Sequence, residues 1–230
     1  MRMLGLIGGT TWESTIIYYQ RLNEMVQKQY EGVYSAPLIL YSVEFNHVLT
    51  LMNNNQWDIL QNEFCLIGKH LENAGAKALL ICTNTIHKIA DGVQKAVSIP
   101  LINIIEVTGQ VVQNKGLKTI GLLGTRTTTE DPFFSNDLKQ KFNINTVVPK
   151  PKDHQYLHDV IFTELARGIL NKASKQECLR IIKEVEAMGA QGIILGCTEL
   201  PLLIAPKDIH VPVFDTLELH IKAAFQFLTS

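Results

Sequence analysis

The chain has 230 residues and a formal net charge of −1, from 21 Lys and Arg against 22 Asp and Glu. With no basic stripe and no acidic tail, nucleic acid and anionic membrane surfaces are excluded as expected partners. A composition of 46% hydrophobic and 19% charged residues fits a globular protein, and no apolar run approaches the roughly 20 residues that span a bilayer.

The first run, MLGLIGG, is a short core strand ending in two glycines, and a periodic segment from Glu13 to Tyr30 follows it. Leu38 to Ser42 (LILYS) reads as a strand. Trp57 to Ala74 has helical period, with Leu60, Phe64, Ile67 and Leu71 on one stripe. Ala78 to Cys82 is the next strand, with a helix from Ile86 onward. Ser98 to Asn103 reads as a strand entry with a turn, and Val107 to Gln113 as a helix. Thr119 to Leu123 is a strand and Asp131 to Phe142 is amphipathic. Val147 and Val148 precede a proline-containing loop. His158 to Leu170 and Gln176 to Met188 are helical, Gly192 to Leu195 and Val211 to Phe214 are strands, and Leu217 to Leu228 is the closing helix. Strands separated by helices imply parallel pairing with crossover helices. The fold class is therefore α/β, and ligands are expected at the carboxyl ends of the strands.

The chain also repeats itself. Gly75 to Thr85 reads GAKALLICTNT and Gly189 to Glu199 reads GAQGIILGCTE, at an offset of 189 − 75 = 114. Gly5 to Thr10 reads GLIGGT and Gly121 to Arg126 reads GLLGTR, at an offset of 121 − 5 = 116. Two pseudo-symmetric domains are expected, each with a mainly parallel sheet flanked by helices and with the active site in the cleft between them. Their expected extents are 1–102 plus 213–230 for the first and 103–212 for the second. The repeat sets Thr83 opposite Cys197. A reactive group on each face of one substrate is what stereochemical inversion needs, and here one face offers a thiol and the other a hydroxyl.

Cys197 ends a strand just ahead of a helix start, where a helix N-terminus can ionise a thiol. A buried, inert cysteine is the competing reading. Thr83, Asn84 and Thr85 supply a dense run of hydroxyl and amide donors suited to a carboxylate, and equally fit helix caps. The other pair of turns, Gly8 to Thr11 and Gly124 to Thr128, lets backbone and hydroxyls approach an anion. Neither turn has the glycine spacing of a dinucleotide or phosphate loop. His87 lies one helical turn past Thr83, within reach of the same site. No paired-His pattern supports a metal and no lysine argues for a Schiff-base cofactor, so none of either is expected. Cys65, Cys82, Cys178 and Cys197 show neither CxxC nor metal spacing, and the N-terminal segment lacks a secretory signal's long apolar region. Reduced thiols and a cytoplasmic location are the expectation.

The segments LIGGT, CTNTIH, LLGTRTT, FTELARG and ILGCTELP together resemble the cofactor-independent aspartate/glutamate racemase superfamily, over essentially the whole chain. Glu199 after Cys-Thr is similar to the aspartate-racemase branch, where glutamate racemases usually carry His. The resemblance implies two cysteines, one per domain, no cofactor, an amino-dicarboxylate substrate and a homodimer. It makes Cys197 the base for the L-enantiomer. It places Asn84, Thr85, Thr198 and Glu199 on the substrate, with Thr10, Thr125, Thr127 and Thr128 lining the pocket. Arg167 and Arg126 are its candidates for the second carboxylate. Thr83 stands where the family has its first cysteine, and a hydroxyl in that place implies a slow racemase. The alternatives are a superfamily relative, such as a single-cysteine decarboxylase, a maleate isomerase or a hydantoin racemase, and a binding protein for amino dicarboxylates without turnover.

Overall fold

The computed structural model describes residues 1–230 and divides them into two compact units. One comprises Met1–Asn103 with His220–Ser230, and the other Ile104–Leu219.

The first unit runs β1 (Leu4–Gly8), α1 (Trp12–Tyr30), β2 (Leu38–Ser42), α2 (Phe45–Asn53), α3 (Trp57–Asn73), β3 (Ala78–Ile81), a 3-10 turn (Thr85–Ile89) and α4 (Ala90–Ala96). Its sheet is parallel in the order β2-β1-β3. β1 and β3 are buried along their whole length, which is why both read as unbroken apolar runs rather than alternating ones. β2 lies at the edge and is half-exposed to exposed. The expected stripe of Leu60, Phe64, Ile67 and Leu71 is the buried face of α3, packed against Ile7, Leu79 and Ile81. α2 was not anticipated. Its N-terminus is capped by the Glu44 carboxylate, which accepts from the backbone N–H groups of Asn46 and His47.

The second unit runs α5 (Ile104–Asn114), β4 (Thr119–Gly124), α6 (Arg126–Glu130), α7 (Phe133–Phe142), β5 (Asn145–Val147), α8 (Pro151–Thr163), α9 (Lys172–Ala187), β6 (Ile193–Gly196), α10 (Leu200–Leu203), β7 (Val213–Asp215) and the start of α11 (Thr216–Thr229). All four strands are parallel, in the order β5-β4-β6-β7. One apolar cluster, with Leu157, Ile161, Ile181 and Val185, covers one face of the sheet. A second, with Ile105, Val112, Phe134 and Leu138, covers the other.

The structure moves two expected boundaries. The helix read as His158 to Leu170 starts at Pro151, whose missing N–H is no loss in a first turn. It ends at Thr163, and a short 3-10 turn (Leu165–Arg167) then closes on Gly168 at φ +71°. Residues 213–219, expected with the first half, belong to the second, because β7 pairs with β6.

At offsets of 116 for β1 and 114 for β3, the repeat carries paired residues of the first sheet onto paired residues of the second. Ile7 faces Ile81 across β1 and β3, and Leu123 faces Leu195 across β4 and β6. The correspondence extends one strand further than the sequence suggested. Leu79 donates to the Pro100 carbonyl at 2.9 Å, and Ile193 to the Pro212 carbonyl at 2.8 Å. Leu79 bridges Leu101 as Ile193 pairs with Val213. The first sheet thus has the beginning of a fourth strand where the second has β7. No helix is long and apolar enough to cross a membrane.

Candidate functional site

Each unit presents two polar turns at the carboxyl edge of its sheet. In the first, the chain leaves β1 through Gly9 at φ +93°, where a Cβ would lie 2.3 Å from the Val43 carbonyl. Only glycine fits both the backbone angle and the space. Gly9 donates its N–H to Thr15 Oγ1 at 2.9 Å, and Thr15 Oγ1 donates to the Thr11 carbonyl at 3.0 Å. Thr11 is held at φ +148°, a strained angle for a β-branched residue and of the kind that clusters at ligand sites. Beside it, Thr10 is buried, and its hydroxyl oxygen has no hydrogen-bond partner. Buried hydroxyls are normally satisfied, which makes Thr10 a candidate for contact with a ligand.

The second turn of this unit follows β3. Cys82 is fully buried, and desolvation pushes its thiol far up. Thr83 is half-buried, with Asn84 and Thr85 buried after it. Thr83 is pinned at both backbone groups. Its N–H donates to the Ile81 carbonyl at 2.9 Å, and its carbonyl accepts from His87 Nδ1 at 2.7 Å. His87 therefore bonds to the turn it was expected to reach. Tyr18 and His220, which no spacing in the sequence singled out, adjoin it.

In the second unit the turns after β4 and β6 are in direct contact. A Cβ on Gly124 would lie 2.8 Å from the Gly196 carbonyl, and one on Gly196 3.0 Å from the Leu123 carbonyl. Two glycines let the strand ends close on each other with Thr128 wedged against both. Thr128 is fully buried, with its hydroxyl 3.2 Å from that of Thr125. Thr127 is half-buried.

Cys197 follows Gly196 and is 5% exposed. Its thiol donates to Glu199 Oε2 at 2.9 Å, and Thr198 Oγ1 donates to the same oxygen at 2.9 Å. Burial, then the Glu199 charge, then the hydrogen bond to Glu199 push the Cys197 pKa well above the ordinary thiol value. The backbone N–H groups of Glu199 and Leu200 pull the other way and lose. The expected ionisation by a helix terminus fails for a physical reason. α10 is one turn long, too short to develop a macrodipole, while burial and the neighbouring Glu199 carboxylate both raise the thiol. Cys197 rests as a neutral thiol hydrogen-bonded to Glu199. Glu199, expected on the substrate, accepts from Cys197 and Thr198 through its Oε2.

Neither expected cation is buried at these turns. Arg167 is exposed at the end of its 3-10 turn. Arg126 is 52% exposed and pairs along its own helix with Glu130 at 3.3 Å. No three His, Cys, Asp or Glu side chains converge as metal ligands.

A sequence model described as Asp/Glu/Hydantoin racemase matches residues 7–224. The chain belongs to that family. Within this racemase family it is 40% identical to a candidate Asp/Glu racemase of known structure from Yersinia pestis, covering 100% of both chains with a TM-score of 0.94. It is 35% identical to an aspartate racemase homologue from Pyrococcus horikoshii, again over 100% of both chains, with a TM-score of 0.87. The broad specificity amino-acid racemase RacX of Bacillus subtilis is 22% identical over 225 residues, 93% of this chain and 92% of that one.

Proposed function

We propose that the protein is a cofactor-independent racemase of aspartate, glutamate or both, with Cys197 as the base for the L-enantiomer and Thr83 in the place of a second base. Family membership supports the reaction class. The observation that carries the reading is the Cys197 thiol donating to the buried carboxylate of Glu199 at 2.9 Å.

In this reading the thiol proton passes to Glu199, and the resulting thiolate removes the α-proton. A thiolate made in a desolvated site is a strong base, because the same burial that raises its pKa denies it solvation. The substrate becomes an enolate-like carbanion, held by donors from Asn84, Thr85 and Thr198. The Thr83 hydroxyl then delivers a proton to the opposite face and recovers one from water, and the hydroxide left is neutralised by the proton that Glu199 holds, while Cys197 keeps the former α-proton. As an acid toward a carbanion the hydroxyl suffices. As a base it would have to become an alkoxide, which is far out of range at neutral pH. Enantiomers have equal free energy in water, so kcat/KM is equal in the two directions and the Thr83 step limits both. The expected enzyme is slow, each power of ten being about 1.4 kcal/mol of barrier.

The test follows each enantiomer of aspartate and glutamate by proton NMR in D₂O, with chiral analysis alongside. Loss of the α-proton signal together with inversion is the expected result, and no exchange in any of the four sinks the reading. The lone thiol favours one second reading, a decarboxylase in which Cys197 protonates a carbanion left by loss of CO₂. Release of CO₂ from a substituted malonate, without exchange of amino-acid α-protons, would establish it.

A further inference from the structure

Three buried polar rings stand behind the Thr83 turn, all within the first unit. His220 is fully buried on α11 and donates from Nε2 to the Ile102 carbonyl at 2.6 Å. A carbonyl only accepts, so His220 carries its proton on Nε2, and its Nδ1 accepts from the Tyr18 hydroxyl at 2.7 Å. His87 is 4% exposed and donates from Nδ1 to the Thr83 carbonyl, so it carries the opposite tautomer. The two imidazoles meet edge to face at 5.8 Å and 76°, and Tyr18 packs edge to face on His220 at 5.6 Å.

Each imidazole hydrogen is assigned by a carbonyl that can only accept, and the Tyr18 hydroxyl then donates to the nitrogen left bare on His220. Burial keeps both rings neutral. It lowers His87 to about 3, with His220 beside it adding to the effect, and lowers His220 to about 4. A surface histidine would sample both tautomers and a charged form at neutral pH. These two are fixed in one state each.

We propose that Tyr18, His220 and His87 form a brace that fixes the Thr83 turn, His87 and His220 being positioning residues for the proton transfer at Thr83. The inference rests on the racemase reading for what is positioned, and on the geometry of the first unit for the brace. A hydroxyl that is a poor acid has little tolerance for misplacement, because delivery to carbon needs the donor aligned with the developing lone pair. The tightest anchor of the turn falls on the carbonyl of Thr83 itself, and the stack behind it is one of edge-locked rings rather than flexible chains.

The test has two parts on the intact protein. Nitrogen-15 NMR of histidine-labelled protein reads tautomers directly. With signals assigned by their loss in His87→Asn and His220→Phe, His87 should report Nδ1–H and His220 Nε2–H, both staying neutral from pH 8 to pH 5.5. In the exchange assay, His87→Asn keeps a donor near the Nδ1 position and should hold kcat within about threefold. His87→Leu should lower kcat by about tenfold to a hundredfold, with KM within about twofold. Matching tautomers for the two buried rings, or titration near 6.5, overturn the brace with wild-type exchange intact. Equal rates for the Asn and Leu variants overturn the positioning role. If the wild-type protein exchanges no α-proton while both tautomers are as stated, the racemase reading fails, and the catalytic half of this proposal fails with it.

Discussion

The turns after β3 and β6 are the same piece of chain twice, and they have been finished differently. The first ends in Thr83, whose backbone is held at both groups while its side chain is a hydroxyl of fixed proton content. The second ends in Cys197, whose thiol donates to the buried Glu199 carboxylate. Around the first turn the ionisable groups are histidines that burial keeps neutral. Around the second a buried acid faces a buried thiol. In the proposed reading one half serves placement and the other proton transfer, although both share the same strand-turn-helix pattern. Equivalence in register does not imply equivalence in chemistry.

That contrast can be broken most forcefully at the thiol. Cys197→Ala should reduce α-proton exchange by about 10⁴-fold or to background, since acid–base groups contribute up to about that much. Exchange persisting at a tenth of wild type would place the base elsewhere. Making the two turns alike should act in the opposite direction. Thr83→Cys should raise the rate about tenfold or more, equally for D and L substrates, as read by chiral chromatography. Unchanged or slower inversion in both directions would show that Thr83 is not the deficient member of the pair.

Glu199→Gln sharpens the contrast from the other side. Removing the charge and the carboxylate acceptor that hold the thiol protonated should move the Cys197 midpoint down, measured by thiolate absorbance against pH. A midpoint that stays put would assign the shift to burial alone. The histidines give the smallest effect. Unfolded, both take up protons near 6.5, whereas folded they do so only near about 3 and about 4. The unfolded state therefore binds more protons between those limits, and stability falls as pH drops from 6.5 toward 4. Two protons give a slope of about 2.7 kcal/mol per pH unit near pH 5. His220→Phe should remove about half of this slope in urea titrations, and an unaltered slope would mean that His220 charges without cost in the native state.

The core strands and their repeat were legible in the sequence because each strand is a run of contiguous apolar residues, and two copies at offsets of 114 and 116 can be aligned by eye. The polar turns were legible for the same reason, since they terminate those runs. The fourth-strand correspondence was harder to see. Pro100 and Pro212 mark it, but Leu101 makes only a single bridge. α2 escaped notice because its signal is one capping acid, Glu44, ahead of a nine-residue helix. The bond between Cys197 and Glu199 could not be read at all. The CTE spacing places the residues two apart but does not say that the carboxylate folds back onto the thiol rather than outward. His220 was equally hidden. It lies 202 residues from its partner Tyr18, and a histidine in an apolar helix carries no local mark of what it will meet.

The backbone of Arg2 donates to the carbonyl of Leu228 at 2.8 Å, so the two ends of the chain are neighbours. The first unit is discontinuous only because the chain happens to be opened there. Joining Ser230 to Met1 through a short linker and opening the bond between Asn103 and Ile104 would give a permuted chain. In it residues 104–219 come first, and residues 220–230 and 1–103 follow without interruption. Each unit would then be one uninterrupted stretch. The order in which this protein is translated is thus separable from the order in which its halves are built.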